Sequence, residues 1–485
     1  MLKPIIGKRE AISFTGFAFE RASGRLRLHY EIDGDQLEEV LVFPGEWSEA
    51  AELRAKPAFA ALHLLAGISY YKAWLPKQIQ VRSMVLNHDQ ALFWSNLYTQ
   101  GLGEFFYRNQ LEGRAYVNFT GDTDHVRENL MANGVALNLV DQPIVLEQLL
   151  TSRPILPLGG GKDSLVVYEL LKTAGITPEL VTLREQLRTR AVADVLGEEL
   201  TVIERQLDPK LLEWNQAGAW NGHVPITAYI SFVMSAYALL KGEREVIFAN
   251  ERSANIGNVM VDGWEINHQY SKSLECELAI QNYLNKYVNS ELRVFSLLRP
   301  WSELAVVKYL VAKTAPDKLA VISSCNKNFT LSGVGAERWC GECPKCLFVF
   351  ALFAAWLSVE RVMEIFGGNM MESDIQLGLW QELVGVKGIK PFECVGEPAE
   401  VKVALWLATR RSEWSQSMIG EWFKKEIEPK LTDPKLTDPN LTDPKLIDPN
   451  LLLAITLAPG SFESLPIEYR AISAELGNQL NPLCV

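Results

Sequence analysis

Three consecutive glycines followed by a polar tripeptide form the stretch of this sequence with the clearest chemistry. An apolar run at 155–158 enters the glycines, and a helical pattern begins at Leu165. Glycine lets the backbone take positive φ and lets a bulky anion approach the main chain, while free N–H groups at a helix start face that anion. The order strand, glycine loop, helix therefore predicts a phosphate or pyrophosphate site; the alternative is a turn that only joins a strand to a helix. The predicted nucleotide-binding residues are Gly159, Gly160, Gly161, Lys162, Asp163 and Ser164.

Four cysteines form a second group with recognisable spacing. Cys340, Cys343 and Cys346 follow the pattern C-x-x-C-x-x-C, and Cys325 lies fifteen positions upstream. Four thiolates are the number that a closed tetrahedral zinc site needs, and a closed site is structural rather than catalytic. An iron–sulfur cluster uses similar spacing, and thiols packed without a metal are a third interpretation.

Polar segments follow two of the predicted strands, and a third segment lies between them. Residues 250–255 come after a strand that ends at Ala249, residues 299–303 come after one that ends near Leu297, and residues 265–273 precede a helix. Ligands of parallel sheets bind at the carboxyl ends of the strands, so these segments predict a substrate site. Each segment could instead cap the helix that follows it. The predicted substrate-binding residues are Asn250, Arg252, Ser253, Asn255, Lys272 and Arg299.

Strand-like runs alternate with helical patterns from residue 154 onward, and they would position these segments. The alternation predicts an α/β fold with a doubly wound parallel sheet. The predicted strands are Ile155–Leu158, Glu179–Leu183, Leu200–Glu204, Glu245–Ala249 and Arg293–Leu297, and the predicted helices are Leu165–Ala174, Ile226–Leu240, Ser271–Val288 and Ser302–Lys313.

Changes in pattern divide the chain into three predicted parts. Residues 1–150 predict an N-terminal α+β domain, residues 151–364 hold the glycine loop and the four cysteines, and residues 365–485 predict a small, mainly helical region. A five-residue repeat with Asp-Pro in each unit occupies residues 430–450. Proline every fifth residue excludes a continuous helix or a central strand, so we expect an extended, solvated insertion.

Composition narrows the class of protein. The 485 residues carry a net charge of −12 without a block rich in Lys and Arg, which argues against a nucleic-acid partner. The first thirty residues lack a signal-peptide core, and the longest apolar run, Leu347–Leu357, has eleven residues, too few to span a bilayer. A buried helix is expected there. Seven cysteines without a secretion signal favour a reducing, cytoplasmic location.

The glycine loop resembles the PP-loop of ATP pyrophosphatases, Ser-Gly-Gly-x-Asp-Ser, with Gly159 at the position of the first serine. It matches neither the Walker loop nor the dinucleotide fingerprint. Together with Asn250–Asn255, Asn267–Ser273, Arg299–Ser302 and Cys340–Cys346, the loop is similar to the UDP-N-acetylmuramoyl-L-alanyl-L-glutamate epimerase family of bacterial cell-wall synthesis. The resemblance covers residues 1 to about 420. It implies a PP-loop ATP pyrophosphatase-like fold, and it favours zinc for the four cysteines.

The same resemblance implies an ATP- and Mg²⁺-dependent inversion of the terminal L-glutamate of the UDP-muramoyl dipeptide to D-glutamate, with AMP and pyrophosphate released. Transfer of AMP to the carboxylate cancels its charge, so the α-proton of the acyl-adenylate becomes far more acidic and an acid/base group can move it. Asp163 is expected to organise the metal and the phosphates. The candidates for proton transfer are His268, Glu265 and Glu251, and the sequence does not choose among them.

Two other functions remain open at this point. A PP-loop nucleobase or tRNA-modifying ligase or sulfur transferase would also release AMP and pyrophosphate, but the composition does not supply the basic domain that RNA binding needs. Sulfur transfer would need a reactive thiol, for which Cys276 is available without an obvious activating neighbour. The third possibility is a regulatory module that binds ATP without turning it over. The oligomeric state does not follow from the sequence.

Overall fold

A nine-stranded mixed sheet runs through the molecule and carries the glycine loop at the end of a central strand. The computed structural model describes residues 9–121, 153–329, 338–431 and 449–480, so most of the pentapeptide repeat, 432–448, lies outside the described residues. The strands are β1 (Ala11–Glu20), β2 (Arg25–Ile32), β3 (Asp35–Val42), β4 (Gln78–Val81), β5 (Ile155–Pro157), β6 (Glu179–Leu183), β7 (Leu200–Gln206), β8 (Glu245–Phe248), β9 (Val259–Val261), β10 (Trp264–Ile266) and β11 (Arg293–Ser296).

Helices connect and cover the strands throughout the described chain. They are α1 (Glu49–Ala66), α2 (Ile68–Trp74), α3 (His88–Gly101), α4 (Gly103–Arg108), α5 (Lys162–Thr173), α6 (Leu187–Leu196), α7 (Pro209–Gln216), α8 (Ile226–Lys241), α9 (Leu274–Tyr287), α10 (Glu303–Lys313), α11 (Pro316–Val321), α12 (Pro344–Ala354), α13 (Val359–Phe366), α14 (Leu377–Leu383), α15 (Pro398–Ala408), α16 (Ser412–Ser415), α17 (Met418–Glu426), α18 (Glu428–Leu431), α19 (Pro449–Leu457) and α20 (Ile467–Ala474). Short 3₁₀ turns occupy Gly113–Ala115, Arg252–Asn255, Tyr270–Lys272, Asn326–Phe329, Asp374–Gln376 and Glu475–Gln479.

The strands lie in the order β11-β8-β5-β6-β7-β3-β2-β1-β4. From β11 to β7 all neighbours are parallel. The strands β3, β2 and β1 form an antiparallel meander, with β4 parallel to β1. A small hairpin of β9 and β10 is separate from this sheet. The predicted α/β class is confirmed, but the sheet that was predicted to be parallel is only mainly parallel, because β3, β2 and β1 add antiparallel pairs. Each of the five predicted strands occurs within two residues of its predicted ends.

The N-terminal strands extend the parallel strands rather than forming a sheet of their own. Val40, Leu41 and Val42 of β3 pair antiparallel with Gln206, Arg205 and Glu204 of β7. The predicted N-terminal α+β domain and the predicted part at 151–364 therefore share one sheet. The boundaries at about 150 and 364 stay predictions.

The parallel strands have a topological switch point beside the glycine loop. Starting from β5, the chain adds β6 and β7 on one side and then returns to add β8 and β11 on the other. Loops at the carboxyl ends of β5 and β8 diverge at such a point and leave a crevice, where doubly wound sheets bind their ligands. The glycine loop follows β5, and residues 250–255 follow β8, so the topology brings two of the predicted segments together.

Two hydrophobic cores cover the opposite faces of the parallel strands. Ile155 of β5 belongs to one core, with apolar residues of α1, α8 and α9, whereas Leu156 belongs to the other, with residues of α5, α10 and α12. Strands that are buried on both faces carry short apolar runs, as β5, β6, β8 and β11 do, whereas β7 is partly exposed.

The long apolar run near residue 350 forms a buried helix, as predicted. Residues Leu347 to Ala354 of α12 are all buried. Among the described residues, no helix combines the length and the apolar character that crossing a bilayer requires.

The C-terminal helices pack against the β8–β11 side of the sheet. The Tyr469 hydroxyl donates to Glu245 Oε2 at 2.6 Å, and Trp301 Nε1 donates to the Ser473 carbonyl at 3.0 Å. These contacts attach α20 to β8 and to the segment before α10. The predicted helical C-terminal region is thus joined to the strands that carry the predicted substrate segments.

Candidate functional site

The glycine loop is open on its crevice side and tightly packed behind. Gly160 has φ of +77°, and a Cβ there would lie 3.1 Å from Arg188 Cβ, while a Cβ on Gly161 would lie 2.8 Å from Ser324 Oγ. A Cβ on Gly159 would meet nothing within 4 Å among the described residues. Gly161 precedes α5, and among the described residues no side chain caps this helix start. The first N–H groups of α5 are therefore left for another acceptor, as an anion site requires.

Lys162 opens α5 and points into a buried set of charges. Its Nζ contacts both Asp163 Oδ1 and Glu303 Oε2, and Lys345 Nζ lies 3.5 Å from Glu303 Oε1. Burial by itself lowers the pKa of Lys162, but the charges of Asp163, Glu303 and Glu251 outweigh it and hold that pKa well above its usual range. Lys162 is therefore a permanent cation at the base of the glycine loop.

Glu251 lies among these charges, directly after β8. Burial and the charges of Glu303 and Asp163 raise its pKa to about 7, although Lys272 and Lys162 act to lower it. Burial also works to raise the pKa of Glu303, but Lys162 and Lys345 lower it below the usual value. We call Lys162, Asp163, Glu251, Glu303 and Lys345 the loop cluster. It brings three carboxylates close together, and carboxylate oxygens are the ligands that Mg²⁺ prefers.

A second set of polar side chains surrounds His268. His268 Nδ1 makes a short hydrogen bond with Glu104 Oε2, and His223 Nδ1 lies 3.3 Å from the same oxygen. Burial lowers the pKa of His268, but hydrogen bonds with Cys394 and Glu104 raise it to about 9. Burial lowers the pKa of His223 to about 3, helped by the charge of His268. The two imidazoles therefore differ: His268 carries the charge and His223 is neutral.

Cys394 joins this set from a distant part of the chain. Lys272 Nζ donates to Cys394 Sγ at 3.4 Å, and His268 hydrogen-bonds to the same thiol. Burial raises the pKa of Cys394, but Lys272 and His268 lower it to about 5. Lys272 also interacts electrostatically with Glu251 and Asp163. It thereby links the thiol to the loop cluster.

Other predicted substrate-binding residues make contacts that shape the loops. Arg299 is 3% exposed; it donates to Glu277 Oε2 at 2.6 Å and to the Glu251 carbonyl at 3.1 Å. Asn250 Nδ2 donates to Ser296 Oγ at 2.9 Å, and Arg252 Nη1 donates to the Ala458 carbonyl at 3.0 Å. These contacts hold the segment after β8 in place. Direct contact of these residues with substrate stays a prediction.

Three further predicted residues lie in the same loops. Ser253 is buried beside Glu400. Asn255 Oδ1 accepts from the Leu274 N–H at 2.7 Å, and Glu265 Oε1 accepts from the Gly257 N–H at 2.9 Å. Asn255 and Glu265 also line a cavity of about 620 Å³, whose wall includes Trp264 and Tyr270. Of the three candidates for proton transfer, His268 and Glu251 share the neighbourhood of Lys272, whereas Glu265 lines this cavity.

Sequence reasoning missed several members of the site. Glu104 lies within a helical pattern, His223 is an isolated histidine, and Cys394 stands outside the cysteine spacing pattern. Lys345 lies between two cysteines of the C-x-x-C-x-x-C pattern, which indicates a role for the cysteines only. None of these residues has a neighbour in sequence that signals a role; only the fold brings them to the loop.

The four predicted cysteine ligands lie together, in a group we call the cysteine knuckle. The sulfur atoms of Cys325, Cys340, Cys343 and Cys346 lie within 4.8 Å of one another. Cys343 Sγ is 3.5 Å and Cys340 Sγ is 3.8 Å from Cys346 Sγ. A tetrahedral zinc with sulfur at 2.3 Å places its ligands about 3.8 Å apart, so the four thiols could hold such a metal ion.

Comparison with known proteins gives one consistent family. Residues 6–297 match the family model described as MurL N-terminal domain, and residues 321–437 match the one described as MurL C-terminal domain. A protein of Xanthomonas oryzae pv. oryzae (strain MAFF 311018), named UDP-N-acetyl-alpha-D-muramoyl-L-alanyl-L-glutamate epimerase, is 37% identical over 423 residues, covering 86% of this chain and 90% of the relative.

Two further relatives carry the same name. The protein of Micromonospora sp. (strain ATCC 39149 / NRRL 15099 / SCC 1413) is 35% identical over 422 residues, which is 85% of this chain and 90% of the relative. The protein of Salinispora tropica (strain ATCC BAA-916 / DSM 44818 / JCM 13857 / NBRC 105044 / CNB-440) is 34% identical over 419 residues, which is 85% of this chain and 88% of the relative. With both family models matched across most of its length, this chain belongs to the MurL family.

Proposed function

We propose that this protein inverts the terminal L-glutamate of UDP-N-acetylmuramoyl-L-alanyl-L-glutamate to D-glutamate in peptidoglycan precursor synthesis, with ATP consumed through an acyl-adenylate. The substrate follows from the name that its relatives carry. The observation that carries the ATP requirement is the loop cluster: an uncapped helix start and a buried lysine meet three carboxylates at the switch point of the sheet.

The glycine loop would hold the phosphates. Its main-chain N–H groups and the start of α5 favour negative charge, and Lys162 adds a fixed cation. Asp163, Glu251 and Glu303 fit Mg²⁺, which when bound supplies neutralisation of phosphate charge. The carboxylate of the substrate attacks the α-phosphorus of ATP, AMP is joined to the carboxylate oxygen, and pyrophosphate leaves. We accordingly propose that the loop acts as a PP-loop of the ATP pyrophosphatase-like class.

The adenylate makes the α-proton removable. With its carboxylate charge cancelled, loss of the proton yields a singly charged enolate rather than a dianion, so a side chain of moderate basicity suffices. Among the predicted candidates we favour His268 and Glu251 over Glu265, because both lie in the network around Lys272. Hydrolysis of the adenylate then restores the acid.

Zinc in the cysteine knuckle would be structural. Four thiolates leave no open position for a substrate, and the Glu342 N–H donates to Cys340 Sγ at 3.4 Å, as groups around metal-bound thiolates do. The unpaired thiols fit a reducing cytoplasm. Elemental analysis of protein purified without chelator should find about one zinc per chain; iron instead, or no metal, would contradict this assignment.

Isotope exchange tests the proposed reaction. The protein is incubated in deuterated water with Mg²⁺, ATP and either the L-Glu or the D-Glu substrate, and the isomers are separated chirally. We expect inversion and deuterium at Cα only with ATP, accompanied by AMP. An ATP analogue that cannot be cleaved between the α- and β-phosphorus should bind without supporting exchange.

Two results would contradict the proposal. Inversion without ATP would remove adenylation from the mechanism. ATP consumption without exchange on any glutamyl substrate would favour the ligase or sulfur-transfer alternative. Cys276 does not suit sulfur transfer, because it is fully buried and burial raises the pKa of its thiol well above the usual range.

A further inference from the structure

We propose that Cys394 is a catalytic residue that transfers the Cα proton on one face of the glutamyl centre, with His268 as its hydrogen-bonded partner. The inference rests on the proposed epimerisation and extends it to a residue that the sequence patterns did not single out. It is carried by an arrangement of four side chains from three separate parts of the chain: Glu104, His268, Lys272 and Cys394.

The thiol sits between two cationic groups. Lys272 Nζ donates to Cys394 Sγ at 3.4 Å, and His268 hydrogen-bonds to the same thiol. Glu104 occupies the Nδ1 side of His268, which orients the ring and favours its protonated form. Cations beside a cysteine stabilise the thiolate, which is the basic form of the side chain. Cys394 therefore has the surroundings of a reactive thiol.

The segment that carries Cys394 is fixed to the loop that carries His268. Asn258 Nδ2 donates to the Pro391 carbonyl at 2.7 Å, and Asn258 Oδ1 accepts from the His268 N–H at 2.8 Å. Gln269 Nε2 donates to the Val395 carbonyl at 3.0 Å, on the other side of Cys394. Asn258 thus contacts both segments, and these contacts fix the position of the Cys394 thiol relative to the His268 imidazole. Such fixed geometry is needed where a proton must be transferred at a defined face.

The Cys394 thiol is more exposed than a thiol packed in the core. Cys276 is fully buried in the core, whereas Cys394 is half-buried. Lys272 connects Cys394 to Glu251 and Asp163 of the loop cluster through their charges. The inference requires that the α-carbon, one bond away from the carboxylate carbon activated at the glycine loop, lies beside Cys394.

The step balances without a further reagent beyond the nucleoside triphosphate that makes the adenylate. The Cα–H bond breaks, its electron pair moves into the adenylated carbonyl to form the enolate, and the proton goes to the Cys394 Sγ thiolate. A second group on the opposite face delivers a proton to Cα. For the reverse substrate the Cys394 thiol delivers the proton. Exchange with water returns both groups to their starting forms.

The test compares Cys394→Ala and Cys394→Ser with Cys276→Ala as the control for loss of a thiol elsewhere. Each full-length variant is incubated with ATP and Mg²⁺ in deuterated water, separately with the L-Glu and the D-Glu substrate, and AMP release, Cα deuterium and inversion are measured. For both Cys394 variants we expect inversion to fall about 10²–10⁴-fold, the usual contribution of a positioned acid/base group. AMP release should persist with both isomers. Exchange should be lost from one isomer and retained from the other.

A structural role would not produce that asymmetry between isomers. Equal loss of exchange from both isomers with AMP release intact, full activity in Cys394→Ser, or loss of AMP release would each overturn the assignment. Cys276→Ala should keep inversion within about twofold of the unmodified chain, and circular dichroism should show that all variants are folded. If the unmodified protein shows no ATP-dependent exchange, the epimerase function itself fails; if it does and the Cys394 variants match it, only this inference fails.

Discussion

The loop cluster and the junction between β3 and β7 both bury charged side chains against the same sheet, but they are built differently. At the junction, Arg205 Nε and Nη2 donate to the two carboxylate oxygens of Glu39 at 2.8 and 3.3 Å. The Tyr229 hydroxyl donates to Glu39 Oε1 at 2.6 Å, and the Arg205 guanidinium lies 3.9 Å from the Tyr229 ring centroid. We call Glu39, Arg205 and Tyr229 the junction cluster.

The difference lies in how completely the charges are matched. In the junction cluster one carboxylate meets one bidentate guanidinium and a hydroxyl, so its hydrogen-bonding capacity is filled within the protein. In the loop cluster three carboxylates lie close together, and although Lys162, Lys345 and the adjacent Lys272 act on them, burial and the charges of Glu303 and Asp163 raise the pKa of Glu251 to about 7. A matched cluster joins two parts of a sheet. An unmatched one stores electrostatic strain that a bound cation would relieve, which is typical of functional sites.

Asp163→Asn should have the largest effect, and that effect should be on activity rather than on stability. The change keeps the shape of the loop but removes a carboxylate placed to organise Mg²⁺ and phosphate, so we expect pyrophosphate release to fall by at least about 10³-fold, or about 4 kcal/mol. Steady-state pyrophosphate release at saturating ATP and Mg²⁺ measures it. Thermal unfolding should remain close to that of the unmodified chain. Unchanged turnover would remove the loop cluster from the mechanism.

Glu39→Gln should act in the opposite way, on stability and not on the chemistry. Removing one charge leaves Arg205 without its counter-charge in a buried position, which costs about 3 kcal/mol. Denaturant unfolding should show the loss, while activity per folded molecule stays near normal. Glu38→Gln is the matched control, because Glu38 is the neighbouring residue and its side chain is 37% exposed in its ion pair with Arg27; about 0.5 kcal/mol or less is expected. A Glu39→Gln variant that is stable but inactive would erase the contrast between the clusters.

Glu251→Gln should alter how stability depends on pH. Burial raises the pKa of Glu251 from 4.5 to about 7, so between these values the folded protein binds a proton that the unfolded chain has released. The contribution of this group to the free energy of unfolding is complete below pH 4.5 and is lost as the pH rises through 7, by at most about 1.4 kcal/mol per pH unit.

The measurement is urea unfolding of both proteins between pH 4.5 and 8 without added Mg²⁺. We expect the stability of the unmodified protein, relative to Glu251→Gln, to decline as the pH rises. A difference that stays constant with pH would mean that Glu251 is ionised throughout. The loop cluster would then be matched like the junction cluster.

Deleting residues 432–448 and joining the ends with a short Gly-Ser linker should have the smallest effect. Loop-closure entropy varies slowly with length, so the free energy of unfolding should change by less than about 1 kcal/mol. Neither cluster includes a residue of the repeat, and both Asp163-dependent activity and Glu39-dependent stability should persist. A loss of activity at unchanged melting temperature would connect the repeat to the site through Arg252, which donates to the Ala458 carbonyl shortly after it.

Local sequence patterns were sufficient to predict the elements whose residue types are dictated by burial or by chemistry. Four of the five parallel strands are largely buried and carry short apolar runs. The glycine loop needs glycine where φ is positive and neighbours approach closely, and three of the four cysteines share one short spacing pattern. The sequence by itself therefore determined the α/β class, the likeness of the loop to an anion site and the set of thiols that now lie together.

Only the tertiary structure decided which polar side chains meet. Cys394 lies more than a hundred residues after His268 and Lys272 in the chain, and Glu104 lies more than a hundred residues before them. No local periodicity therefore relates these residues. Their meeting depends on the strand order and on Asn258 holding two segments together. The same is true of the single sheet: the pairing of β3 with β7 joins residues about 160 positions apart. Periodicity reports which face of an element is buried, whereas the partner across that face is chosen by packing of the whole chain.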